Sequence, residues 1–182
     1  MSIETQLMTF AEFEQLPNPP AGHYELHHGE LILMPPRKFP HVIAQGKLFR
    51  LLAPFLDHLG MIETELPFRP ALEHEAWQCD IGFISRERLD LNEKNYFLGA
   101  PDFVIEVLSQ SNTMDEILDR QDVCFQHGCS AFWTVDPKRR TVMVTTADRR
   151  TITYDESSDV PLPAHIAQGS IRVAAIFETT AG

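Results

Sequence analysis

Two spacings of apolar residues run along the chain. Val42, Ile43, Leu48, Phe49, Leu52, Phe55, Leu56 and Leu59 form one broad face at helical spacing, which predicts a long helix over 41–59. Pro54 should kink or weaken it, and Gly60 suits its C-terminal stop. Thr9 and Glu12 have the spacing of a capping box ahead of Phe10, Phe13 and Leu16, a short helix that Pro17, Pro19 and Pro20 end. Thr113 and Glu116 repeat that signal for a second helix, ending near His127-Gly128. Strand-like runs are predicted at 24–26 and 30–34 around a turn at His27-His28-Gly29, and at 61–68, 77–85, 102–108, 131–135, 141–146 and 150–154. Residues 86–100 are charged and read as irregular, and the tail to Phe177 is expected over one edge of the sheet. A helix between strands 102–108 and 131–135 lets that pair run parallel through a crossover. The expected fold is a mixed α/β single domain over 1–182, with a core at about 8–146 and C-terminal strands and tail at 147–182.

One strand breaks its own pattern. In APDFVIEVLSQSNT, residues 100–113, Glu106 sits among Phe103, Val104, Ile105, Val107 and Leu108. A buried ionised carboxylate costs several kcal/mol, as an order of magnitude (~), unless it is paired. Asp102 shares its strand and parity, but four residues at ~3.3 Å rise put the two about 13 Å apart, too far for one cation. Asp102 is therefore expected to cap a loop or the strand entry. Asp80, in Cys79-Asp80-Ile81-Gly82-Phe83-Ile84, belongs to a different strand. Neighbouring strands lie ~4.8 Å apart, a separation that suits two carboxylates sharing a divalent cation, with Gly82 expected to leave room beside them.

Composition narrows the setting. The 182 residues are 43% hydrophobic and 23% charged, ordinary for a globular domain. No apolar run approaches the roughly 20 residues of a membrane span, and the N-terminus has no secretory pattern. Three cysteines, Cys79, Cys124 and Cys129, do not make a disulfide framework, so a cytoplasmic location is expected. Cys124, His127 and Cys129 lack the second pair that a zinc site needs. A net charge of −11 argues against a protein that coats nucleic acid, but leaves room for a local basic groove at Arg37, Lys38, Lys47 and Arg50.

The stretches His23-Tyr24-Glu25-Leu26, His28-Gly29-Glu30-Leu31, Met34-Pro35-Pro36 with His41, Asp80 to Ile84, Gly99 to Ser109, and Phe132 to Pro137 resemble the Uma-two family of restriction-endonuclease-like proteins in order, spacing and wording. The resemblance runs from about Met8 to Val144. It implies the PD-(D/E)XK nuclease fold, a central mixed β-sheet flanked by helices, and divalent-metal-dependent cleavage of phosphodiester bonds. By the same resemblance Asp80 and Glu106 are the motif carboxylates; with help from the Val107 carbonyl they are expected to hold Mg²⁺ or Mn²⁺. Cys79 stands where a proline is usual, Leu108 where the wider superfamily has its lysine, and Gln110 at another usual proline. The family lysine on the next helix corresponds to Arg120, which cannot act as a general base because arginine stays protonated. Arg120 has two compatible roles at this stage: a phosphate clamp, or an i,i+4 partner of Glu116. Glu30 and His41 match family positions of peripheral role, and Asp102 is kept beside them.

Two functions follow from different classes. One is a metal-dependent endonuclease acting on DNA, with helix 41–59 facing the backbone and a homodimer suiting two-strand cleavage. The other is a nuclease-fold binding or interaction module without catalysis, favoured by the acidic charge, Leu108 and Arg120. Hydrolysis by Ser, Cys or His is disfavoured, because no Gly-x-Ser-x-Gly elbow occurs.

Overall fold

The protein is described by a computed structural model over residues 7–90, 96–109 and 112–178. Gln110 and Ser111 lie outside them. Helix α1 (Phe10–Phe13) starts at the Thr9–Glu12 capping box. Strands β1 (His23–His27) and β2 (Glu30–Met34) form an antiparallel hairpin. Its turn residues His28 and Gly29 have φ of 52° and 79°, the left-handed pair that a two-residue hairpin turn requires. Helix α2 (Phe39–Leu56) follows, then β3 (Gly60–Arg69), β4 (Trp77–Ser85), α3 (Arg86–Asp90), β5 (Phe97–Leu98) and β6 (Phe103–Val107). Helix α4 (Met114–Gln126), opened by the Thr113–Glu116 capping box, leads into β7 (Ala131–Asp136), β8 (Thr141–Thr146) and β9 (Thr151–Tyr154). The chain continues through β10 (Asp159–Pro161), β11 (Ser170–Arg172) and α5 (Val173–Phe177).

Seven strands form one sheet in the order β5-β3-β4-β6-β7-β8-β9. Strand β6 pairs antiparallel with β4 and parallel with β7, with α4 as the connection. Leu48, Leu52 and Leu56 of α2 pack on one face, against Ile62, Ile81, Phe103, Ile105 and Trp133. Val123 and Cys124 of α4 pack on the other, with Leu66, Trp77, Cys79, Val104 and Phe132. The mixed sheet flanked by helices is the expected architecture.

Three expectations need correction. Helix α2 begins at Phe39, with Pro40 in its first turn, and ends at Leu56 with Pro54 inside it; Gly60 opens β3 instead of stopping the helix. Residues 86–100 are not wholly irregular, since α3 and β5 lie within them. The C-terminal segment does not cover an edge. Val160, Leu162, Ile171, Val173 and Ile176 are buried in the core on the α2 face, because alternation at 160/162 and 171/173 and the i,i+3 spacing of Val173 and Ile176 in α5 give this segment an apolar side.

Strands β3 and β4 contain an irregularity that sets up the site. Ile62 points to the α2 face, yet Leu66 and Phe68, of the same parity, point to the α4 face. On β4, Ile81 and Phe83 lie on the α2 face while Trp77 and Cys79 lie on the α4 face. An undisturbed strand keeps one parity on one face. The ladder pairs Thr64 with Ile81 and Leu66 with Cys79, skipping Glu65 and Asp80 between them. Glu65 has φ of 54°, outside the extended region, so β3 rotates there and β4 follows in register. Asp80 sits at the point where both strands change face.

Gly82 follows two residues later. A Cβ there would lie 2.5 Å from Leu66 Cδ2, 2.9 Å from Cys79 Sγ and 3.2 Å from Pro101 Cγ. The space beside Gly82 is filled by those side chains, so it is not the opening for an ion that the sequence suggested. Gly82→Ala should destabilise the protein by about 2 kcal/mol through overpacking. In a Leu66→Ala background the same change should cost less, because the nearest clashing atom is gone. Urea unfolding of the four proteins of this cycle measures the difference; equal penalties in both backgrounds would exclude Leu66 as the constraint.

Candidate active site

Asp80 is almost fully enclosed and accepts three hydrogen bonds. Arg37 Nε and His41 Nε2 each reach Oδ1 at 3.0 Å, and the Val107 backbone N–H reaches Oδ2 at 2.7 Å. Gln45 donates to the Asp80 carbonyl at 2.7 Å, which satisfies a backbone acceptor at the residue that the β3–β4 ladder skips. Arg37, His41 and Gln45 come from one short stretch at the entry of α2. That stretch is laid across β4 because the Leu48, Leu52 and Leu56 face of the helix packs on the sheet.

Glu106 lies on the adjoining strand β6, near Asp80, and shares the parity of Val104, which faces α4. Arg120 of α4 meets it there, Nη1 to Oε1 at 3.5 Å. That is a long charge contact, and Oε1 is buried without a hydrogen-bond partner among the described residues. Arg120 is bound more tightly to Glu25 of β1: Nη2 donates to Oε2 at 2.7 Å, and to the Gln78 carbonyl at 3.1 Å. Glu25 also pairs with His23 Nε2 at 3.1 Å and His27 Nε2 at 2.6 Å. The His27 ring stacks on Trp77, with centroids 4.4 Å apart, and the Arg120 guanidinium lies over the same indole.

The carboxylates divide by environment. Burial opposes ionisation of Asp80, but the hydrogen bond and charge of His41, the Arg37 guanidinium and the Val107 N–H hold its carboxyl below the usual range. Burial likewise opposes ionisation of Glu25, and the Arg120 charge with the two histidine hydrogen bonds outweighs it, leaving Glu25 far below the usual range. For Glu106 burial dominates, the Asp80 and Glu25 charges add to it, and Arg120 offsets only part; its carboxyl is pushed well up. Burial disfavours the charged form of Arg120, yet Glu106 and Glu25 beside it raise its pKa further. Of the three carboxyls, Glu106 is the one that holds its proton to the highest pH.

The structure thus brings Asp80, Glu106, Arg120, Val107 and His41 into one neighbourhood. It leaves Glu30 outside, exposed on β2. Asp102 lies at the far end of β6, where it accepts the Ser85 N–H at 2.8 Å and pairs with Arg88 at 3.2 Å, as a capping residue does. The Glu116–Arg120 pair does not form: Glu116 closes the capping box by accepting the Thr113 N–H at 2.8 Å, and Arg120 turns inward. Nor is Arg120 an open clamp, because its Nη2 is committed to Glu25 and Gln78.

Glu25 is the residue that sequence reasoning passed over as a site member. Its signal was the alternation His23, Glu25, His27, which puts three polar groups on one face of a strand. Arg37 follows Pro35-Pro36 in a loop, and nothing in its local pattern marks it as a partner of Asp80. Among the described residues no group of three or more His, Cys, Asp and Glu side chains is arranged to cage a metal. The donors that converge are two hard carboxylates.

Glu25 and Glu106 should respond oppositely to neutralisation. Glu106 has its folded pKa raised, so its ionisation penalty grows as pH rises above the unfolded value. Glu106→Gln should therefore stabilise the metal-free protein in EDTA at pH 7–8 by about 1–2 kcal/mol, with the gain vanishing at pH 4. Glu25 has its folded pKa lowered, so its contribution is present above the unfolded value and lost only in strong acid. Glu25→Gln should destabilise by about 3 kcal/mol at neutral pH, since Arg120 loses its closest counter-charge. Denaturant titrations at the two pH values give both signs, and a destabilised Glu106→Gln at pH 8 would contradict the assignment of the proton.

A family model named Uma2, described as "Putative restriction endonuclease", matches residues 10–174. A crystal structure from Anabaena variabilis ATCC 29413, described as a "putative nuclease belonging to DUF820", superposes with a TM-score of 0.79 at 24% identity. The likeness covers 93% of this chain and 97% of that one, and at such identity it establishes the fold. No curated protein matches the chain. No helix among the described residues is long and apolar enough to cross a membrane. With the match extending over most of its length, the chain belongs to the Uma2 family of restriction-endonuclease-like proteins.

Proposed function

We propose that the protein is a divalent-metal-dependent endonuclease that hydrolyses phosphodiester bonds of DNA. The observation that carries this reading is Glu106 Oε1, buried without a hydrogen-bond partner among the described residues, beside an Asp80 carboxyl held below the usual range. Mg²⁺ commonly takes one or two carboxylates and completes its shell with water and substrate phosphate, so two converging carboxylates suit it without a full protein cage. Asp80 and Glu106, with the Val107 carbonyl, would hold Mg²⁺ or Mn²⁺. The bound ion supplies Lewis-acid activation of water and neutralises charge on the scissile phosphate.

The chain's own residues have separate tasks. His41, Arg37 and the Val107 N–H fix the Asp80 carboxylate and keep it ionised. Arg120, anchored by Glu25, faces Glu106 as a fixed counter-charge and favours its ionised form. Arg120 is thus a positioning residue behind the carboxylates. Leu108 stands where a lysine would supply a proton-handling amine, and Arg120 cannot replace that role.

That last point supports a second reading, a nuclease-fold module that binds without cutting. Cleavage of plasmid and duplex oligonucleotide with Mg²⁺ or Mn²⁺ separates the two. Under the enzyme reading the wild type nicks or cuts, Asp80→Asn and Glu106→Ala lose at least about 100-fold in rate, and calorimetry shows Mn²⁺ binding that Glu106→Ala lacks. A wild type and an Arg120→Lys variant that are both inert, with no metal bound, would leave the binding module as the function.

A further inference from the structure

The structure assigns a phosphate-facing role to Arg37; the inference rests on the nuclease reading and adds a DNA-contacting residue to it. Three features separate this arginine from Arg120. Its Nε is spent on Asp80 at 3.0 Å and its Nη1 pairs with Glu65 at 3.1 Å, while Nη2 donates no hydrogen bond among the described residues. The side chain keeps 18% exposure, against 10% for Arg120. Its second partner is weak: the Glu65 side chain is 52% exposed, and exposed ion pairs contribute little, so a phosphate oxygen can displace it.

The surroundings favour an anion. Arg37 immediately precedes the 18-residue helix α2, whose N-cap, Lys38, makes no side-chain capping bond. The positive end of that helix dipole therefore adds to the guanidinium. Phe39, 76% exposed in the first turn, offers an apolar surface on which a sugar or base can rest. Because Nε is held by Asp80, a phosphate on Nη2 or Nη1 is fixed next to the proposed metal carboxylates. One arginine thereby ties the substrate backbone to the position of Asp80. Glu65 acts as a placeholder, aimed at Arg37 from the left-handed residue of β3.

Binding of a labelled duplex, followed by fluorescence anisotropy with Ca²⁺ in place of Mg²⁺ over a salt series, tests this assignment. Each phosphate contact contributes about 0.9 to the slope of log K against log salt. Arg37→Gln should make the slope shallower by about 0.9 and weaken binding about eightfold at 0.1 M salt, equally for unrelated sequences. Glu65→Gln should tighten binding while Arg37 remains, a change that a purely structural ion pair would not produce. A wild-type slope in Arg37→Gln, or weaker binding in Glu65→Gln, overturns the assignment and leaves the nuclease reading standing. A wild type that binds no duplex at any salt overturns both.

Discussion

The charge balance of a small buried volume governs this structure. Glu25, Asp80 and Glu106 bring three carboxyl groups together, and Arg37 and Arg120 supply two guanidinium groups. Coulomb interactions in a low-dielectric interior are too strong for an odd charge to be ignored. The structure answers by dressing two carboxylates fully and the third poorly. Asp80 receives three donors and Glu25 an arginine and two histidines, while Glu106 has a 3.5 Å charge contact with Arg120 and a hydrogen bond shared with the Asp80 carboxyl. The group that bears the imbalance is the one whose ionised form calls for a cation. On the proposed nuclease reading, this deficit is what a bound cation would offset.

Secondary structure delivers the pieces from opposite sides of the sheet. Asp80 is fastened by residues at the start of α2, and Glu106 by Arg120 of α4, so the sheet separates two groups of supporting residues. Their carboxylates can meet only where a strand lets one side chain depart from simple alternation. The rotation at Glu65 and Asp80 provides that departure and leaves a backbone carbonyl exposed in the ladder, which Gln45 then occupies. The hairpin of β1 and β2 is joined to the segment before β4 through the Leu26–Ala76 bridge and carries Glu25 to Arg120.

Much of this was legible in the sequence, for identifiable reasons. Both capping boxes form, because their signal is local and depends on residues three apart. The β4–β6 neighbourhood followed from two strand-like runs each carrying a misplaced carboxylate. The face change in β4 was invisible, since the parity of Trp77, Cys79, Ile81 and Phe83 looks continuous and its cause is a backbone dihedral at Glu65. For the same reason the sequence around Gly82 suggests open space at what is a close-packed position. Arg120 illustrates a different limit. Its spacing from Glu116 suggested a local pair, but Thr113 had already claimed Glu116, and the arginine found Glu25, 95 residues away in sequence. Long-range pairing of that kind has no periodic signature.

The paired rotation of β3 and β4 has a consequence for how such a chain can change over generations. Because the two strands switch faces at the same rung, each carries a phase break in its alternation that only the other can match. A one-residue insertion or deletion in β3 near Glu65 would turn the remainder of that strand inside out relative to β4, and a change in β4 alone would do the same to the core around Asp80. Length variation is therefore barred at this rung unless it occurs in both strands together. The surrounding loops are free of that restriction, so divergence in this chain should accumulate as changes of loop length around an inner pair of strands whose residue count is frozen.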